Sequence, residues 1–230
     1  ILHVRWRLGA GRRRAQLAAR APDGPVRDLL ATDPPGPGTH VTELRLLALD
    51  LETTGLDART DHIVSVGFVP LDGLAIDLSG AQRLLCRAEG EVGQSAVVHG
   101  ITDDALTGGV ALSELVERVA AALRGRVLLA HHAAIEQHFL SEAAQRTHGV
   151  RLPLEAVDTM DLQARVLGSQ TGADLPPGAL RLGTARDHLG LPRYSAHEAL
   201  TDALACAELY LAQVARLGGA RGMTLAQLQR

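Results

Sequence analysis

Leu44-Arg45-Leu46-Leu47-Ala48-Leu49-Asp50-Leu51-Glu52-Thr53-Thr54-Gly55-Leu56 is the stretch on which the fold turns. It is rich in apolar residues and closes on a Thr-Thr-Gly turn, so it reads as a strand in the middle of a sheet. Residues two apart on a strand point to the same face, and Asp50 and Glu52 therefore converge. Two acids side by side at the end of a buried strand repel each other and lose hydration, a penalty of several kcal/mol per ion. A hard divalent cation is the natural compensation.

Outward from this strand the pattern continues as a meander. Ile63 to Val69 alternates as a second strand, and Leu74 to Leu78 and Gln82 to Arg87 read as a third and fourth, broken at Asp72-Gly73 and Ser79-Gly80. The period then changes. Leu112, Leu115, Val116, Val119, Ala120 and Leu123 fall at helical spacing, Val127 to Ala130 is a short buried strand, and Ala134 to Arg146 returns to helix. Thr159 to Val166, Leu182 to Leu189 and Glu198 to Leu217 read as further helices, with a flexible connection from Gly168 to Gly178. Strands first and helices interleaved later predict an α/β fold, a mixed sheet flanked by helices. Asp33-Pro34-Pro35-Gly36-Pro37-Gly38 reads as a linker. The expected division is an Arg-rich extension with its linker over 1–43, the main domain over 44–217 and a tail over 218–230.

Charge narrows the function. All 23 basic residues are Arg. Residues 1–45 carry eight Arg against four acids, a net of +4, whereas residues 46–230 carry fifteen Arg against twenty-two acids, a net of −7. A protein that neutralises many phosphates is basic, so nucleic-acid chemistry here must engage a few nucleotides at a metal-loaded site. One Trp, two Tyr and two Phe give little material for a base-stacking platform. The absence of an apolar run of about 18 residues excludes a membrane-spanning helix. Cys86 and Cys206 read as small buried hydrophobes, and a reducing, cytoplasmic compartment is expected. The Arg-rich first 22 residues, with Arg12-Arg13-Arg14 at their centre, read as a basic surface helix rather than a transit sequence.

His197-Glu198-Ala199-Leu200-Thr201-Asp202-Ala203 places a histidine five residues before an aspartate. On a regular helix that spacing separates the two by about 140°, so His197 must sit at or before the helix start, with Asp202 one turn in. A loop histidine beside a helix carboxylate suits a mobile general base next to a fixed ligand. His131 and His132 could be zinc ligands beside Glu136, but adjacent histidines at a strand end diverge. Asp158 has two readings, a residue that orients part of the site and, as Asp158-Thr159 before an apolar helix, a ready N-cap, of which the cap is the simpler.

Asp50-Leu51-Glu52-Thr53-Thr54-Gly55-Leu56, His131-His132-Ala133-Ala134-Ile135-Glu136-Gln137-His138-Phe139-Leu140 and His197 to Ala203 resemble, in order and spacing, the three motifs of the DnaQ-like DEDDh exonucleases. That family includes the proofreading subunit of bacterial replicative polymerase, ribonuclease T and oligoribonuclease. Val98-His99-Gly100-Ile101-Thr102 and Asp158-Thr159 also look like family positions, and the resemblance covers about Leu46 to Ala215. It implies a ribonuclease-H-like sheet, two Mg²⁺ or Mn²⁺ ions, and release of nucleoside 5′-monophosphates from single-stranded 3′ ends in DNA repair, with DNA favoured over RNA. By that analogy Asp50 bridges both ions, Glu52 and Asp202 complete one coordination shell, and His197 deprotonates the attacking water. Thr53, the wedge residue Leu56 and His99 match positions that hold the terminal nucleotide. Glu136 stands where the family usually carries Asp as the remaining carboxylate, and its added methylene lengthens the reach by about 1.5 Å. A rival reading is a catalytically weakened module that binds nucleic-acid ends or a polymerase partner, with Glu136 as its mark.

Overall fold

The computed structural model describes residues 2–87, 108–195, 197–218 and 222–230. Strand β1 (Arg45–Thr53) lies at the centre of a six-stranded sheet. On one side it pairs antiparallel with β2 (Ile63–Asp72), which in turn carries β3 (Ala75–Ile76) and β4 (Gln82–Leu85). On the other it pairs parallel with β5 (Val127–Ala130), and β5 with β6 (Ala156–Asp158). The helices are α1 (Leu2–Arg20), α2 (Pro25–Ala31), α3 (Leu112–Leu123), α4 (Ala134–His148), α5 (Thr159–Val166), α6 (Leu182–His188), α7 (Ala199–Arg216) and α8 (Leu225–Leu228). The mixed sheet flanked by helices is the expected architecture.

The alternation of β1 divides the interior in two. Leu47, Leu49 and Leu51 enter one core with Leu115, Val116 and Val119 of α3 and Phe139 and Leu140 of α4. Leu46 and Ala48 enter the other, with Cys206, Ala207, Tyr210 and Val214 of α7. A central strand covered on both faces must be nearly all apolar. Asp50 and Glu52 fall on the α7 side of that alternation, so their position facing a helix start is a function of sequence parity.

Local differences from the sequence reading have identifiable causes. The third strand shrinks to two residues because Asp77 Oδ1 accepts hydrogen bonds from the Ser79 amide (3.0 Å) and hydroxyl (2.6 Å), turning Leu78–Gly80 into a 3₁₀ turn. β6, at three residues, is too short to leave a periodic signal. The segments at 1–43 and 218–230 both contribute to the cores. Val26, Leu29 and Leu30 of α2 are buried with α3, and Leu225 and Leu228 of α8 are buried with α7. The Pro/Gly stretch is itself pinned, since the Ala226 amide donates to the Pro37 carbonyl (2.9 Å) and the Leu225 amide to that of Thr39 (3.0 Å). No described helix is long and apolar enough to cross a membrane.

Candidate active site

Two elements deliver three of the acids, Asp50, Glu52 and Asp202, to one place, and Glu136 is not part of that cluster. Along β1, Asp50 lies opposite Gly67 and Glu52 opposite Ser65, and the pairing slips between Glu52 and Thr53. That irregularity ends the strand. Beyond it Thr53 Oγ1 donates to the Gly55 carbonyl (2.6 Å), and Asp61 accepts the Asp57 amide (2.8 Å) across the turn. Leu56 rides on this turn with 81% of its surface exposed.

The start of α7 is fixed from two directions. Glu198 caps it by accepting the Thr201 amide (2.8 Å) and hydroxyl (2.6 Å), and pairs with Arg83 of β4 (2.9 Å). At Gly67 a Cβ would stand 2.1 Å from the Leu200 amide nitrogen, so only glycine lets the helix start lie directly on β2. Asp202, in the first turn, is thereby brought to β1. Ligand oxygens of Asp50, Glu52 and Asp202 all lie within 4.8 Å of one another. His197 precedes the helix with φ +71°, and its backbone amide donates to Asp202 Oδ2 (2.8 Å). The expected placement of His197 before the helix and Asp202 one turn in is what the fold contains.

Glu136 comes from the first turn of α4, which lacks a side-chain cap of its own. Asp158 supplies the restraint instead: Oδ1 accepts the His132 amide (2.9 Å) and the Met160 amide (2.8 Å), and Oδ2 accepts the Ala133 amide (2.9 Å). One carboxylate thus caps α5 and ties down the turn before Glu136, where His132 has φ +73°. The sequence offers both the cap and an orienting role, but not the partner of the second, because that turn lies far away in the chain. His131 is not available as a zinc ligand. Its Nδ1 pairs with Thr159 Oγ1 (2.9 Å) and its Nε2 with the Leu180 carbonyl (2.7 Å), while burial lowers its pKa. His99 lies outside the described residues.

The electrostatics are those of a site short of positive charge. Burial, then the charges of Glu136, Asp202, Glu52 and Glu198, push the Asp50 pKa well above the ordinary carboxylate range. Burial also raises Asp202, opposed by the His197 amide. Glu136 is 3% exposed, burial pushes its carboxyl up to about 8, and its Oε2 has no hydrogen-bond partner among the described residues. The all-oxygen donor set of Asp50, Glu52 and Asp202 fits a hard divalent cation.

The RNase_T family model, described as Exonuclease, matches residues 47–210. The DNA polymerase III subunit epsilon of Treponema pallidum is 29% identical over 73% of this chain and 75% of its own length. A DNA polymerase III PolC-type protein of Thermotoga petrophila is 27% identical over 72% of this chain, which spans only 11% of that relative. An epsilon-like protein of Rhodobacter capsulatus is 30% identical over 81% of this chain and 26% of its own. Among solved structures, E. coli exonuclease I in complex with a dA16 oligonucleotide superposes with a TM-score of 0.66 at 15% identity, covering 76% of this chain and 42% of that one. The exonuclease I of Methylocaldum szegediense gives a TM-score of 0.62 at 20% identity, covering 76% and 41%. These superpositions show a shared fold. Since the family match spans all three motifs, the DnaQ-like resemblance holds and the chain belongs to the RNase_T exonuclease family.

Proposed function

We propose that this chain is a metal-dependent 3′-to-5′ exonuclease that removes nucleoside 5′-monophosphates one at a time from single-stranded ends. The observation that carries the reading is the convergence of Asp50, Glu52 and Asp202 within 4.8 Å beside a loop histidine hydrogen-bonded to Asp202. Asp50, Glu52 and Asp202 would hold divalent ions, with Glu136 as the remaining carboxylate. Bound there, divalent ions would supply electrostatic stabilisation of the charge that develops in an in-line displacement at phosphorus.

The chain's own residues supply the rest. His197 is the general base: it takes the proton of the attacking water, while its backbone stays anchored through Asp202. Because that anchor uses the amide and not the ring, it does not occupy the imidazole nitrogen that accepts the proton. Thr53 and the exposed Leu56 border the strand end and hold the terminal nucleotide, with His99 as a third contact. The acidic main domain supports a grip on a few nucleotides rather than on a long duplex tract.

The dA16 complex of exonuclease I supports a single-stranded DNA substrate, and relatives carrying DNA polymerase III names support a place in DNA proofreading or repair. The test is release of mononucleotides from 5′-labelled DNA and RNA oligonucleotides of matched sequence, with Mg²⁺, with Mn²⁺ and with chelator. A ladder shortening from the 3′ end only with metal, faster on DNA, is expected. Binding of oligonucleotide without cleavage under every condition would instead identify an end-binding module.

A further inference from the structure

Asp50, His197 and Asp202 border a groove of about 960 Å³ whose walls include Arg181, Arg193 and Tyr194. Thr53 and Leu56, proposed to hold the terminal nucleotide, are not among its lining residues, whereas Asp50 and Asp202 of the cleavage centre are. Its size is at the upper end of the about 300–1,000 Å³ in which drug-sized ligands are enclosed, which leaves room for more than a mononucleotide.

Tyr194 is built into this wall as a fixed aromatic surface. Its hydroxyl donates to Glu208 Oε1 (2.8 Å), and the Arg186 guanidinium lies over the ring, 4.6 Å from the centroid. Arg186 is itself 3% exposed. It donates to the carbonyls of Ala205 (2.6 Å) and Pro192 (2.8 Å) and to Glu208 Oε2 (2.8 Å). A ring tethered at its tip and backed by a buried cation keeps 40% of its surface exposed. Pre-organised aromatic surface of this kind binds without the entropy of ordering a free side chain. Arg181 on the same wall complements phosphate, while Arg193, with 84% of its side chain exposed, is engaged by a two-bond pairing with Asp187 (2.9 and 2.8 Å).

We propose that Tyr194 stacks a base of the single strand upstream of the scissile phosphate, with Arg181 and Arg193 flanking its backbone, so that the groove is a subsite for the nucleotides that remain after cleavage. The inference rests on the exonuclease reading of the carboxylate cluster and deepens it: the preferred substrate is an oligonucleotide rather than a dinucleotide. Stacking on an aromatic ring tolerates any base, and its usual strength corresponds to about 5- to 150-fold in affinity.

The experiment is binding of DNA pentanucleotides carrying 2-aminopurine at the terminal, second or third position from the 3′ end, in Ca²⁺, together with Mg²⁺-supported hydrolysis of the unlabelled strand. Native protein should quench the upstream probes more than the terminal one. Tyr194→Leu should bind about 5- to 150-fold more weakly, lose the upstream quenching and raise KM more than it lowers kcat, whereas Tyr194→Phe and Tyr194→Trp should keep the quenching. Equal loss in Tyr194→Phe would show that the tether to Glu208 matters rather than the ring face, and would overturn the proposal. So would unchanged binding by Tyr194→Leu or quenching confined to the terminal base, with the exonuclease reading intact. Native protein that neither binds nor cuts any oligonucleotide would sink both.

Discussion

Gly67 and Leu200 are in contact through bare backbone: a methyl group on Gly67 would stand 2.1 Å from the Leu200 amide nitrogen. Because Gly67 is also the antiparallel partner of Asp50, this one close approach sets the distance between the strand that carries Asp50 and Glu52 and the helix that carries Asp202. The glycine is thus a spacer for the site, although it contributes no ligand.

Gly67→Ala should push the start of α7 away from β2. A misplacement of about 1 Å is enough to lower a rate on the order of 100-fold, so nucleotide release should fall by at least that factor and the midpoint of Mn²⁺ binding should weaken. Both are read directly, by oligonucleotide hydrolysis and by metal titration. Native turnover in Gly67→Ala would show that the helix start can shift without disturbing the carboxylates.

The raised carboxyl pKa values dictate how metal-free stability responds to pH. A carboxyl whose pKa is higher folded than unfolded binds more protons in the native state, so unfolding free energy falls as pH rises between the two values. For Glu136 that window runs from 4.5 to about 8, and Asp50 shifts in the same direction. The penalty is absent below the unfolded value and complete above the folded one, on the order of a few kcal/mol for Glu136. The metal-free melting temperature should therefore decline from about pH 5 to about pH 8. Glu136→Gln should flatten that decline, and Asp50→Asn should raise the metal-free melting temperature while abolishing hydrolysis. Metal should restore more stability at the alkaline end, because its ligands must be deprotonated.

His197 can be separated from the ligands because its structural bond uses the backbone amide. His197→Ala keeps an amide to donate to Asp202, so metal affinity should stay close to native while the rate falls by about 10²- to 10⁴-fold, the usual worth of a general base. His197→Gly should lose as much activity, and it should relieve the φ of +71° that histidine sustains here. A His197→Ala enzyme whose turnover stayed close to native would remove the ring from its proposed role.

Much of this site is legible in residue spacing, and the rest is hidden for physical reasons. Strand parity places Asp50 and Glu52 on one face, and the angular period of a helix forces His197 off the helix that carries Asp202. Both arguments are local. What escapes them is long-range. Asp158 reads as an N-cap because its partner Met160 is two residues away, but its bonds to the His132 and Ala133 amides cross from β6 to the turn before α4. The spacer role of Gly67 depends on which helix lands on it, and a glycine in a strand says only that something comes close.

The N-terminal segment reads in sequence as an Arg-rich extension with a linker, and its packing against the core predicts that truncation costs stability. Val26, Leu29 and Leu30 are buried against the same core as Leu115, Val116, Val119 and Leu123. Arg14 holds the corner by donating to the carbonyls of Leu29 (2.5 Å) and Thr32 (2.9 Å), and to that of Pro153 (3.4 Å). Full burial of each aliphatic side chain is worth about 1.5–3 kcal/mol, so loss of the three in α2 approaches the whole stability of an ordinary domain, about 5–15 kcal/mol. A chain starting at Thr42 should melt far below the native one and bind a hydrophobic dye through the uncovered face of α3. Replacing Leu29 and Leu30 together by Ala in the full chain should lower the melting temperature in the same direction, with kcat on short oligonucleotides little changed at a temperature where the variant stays folded. Native-like melting of the truncated chain would show that α1 and α2 merely rest on the core.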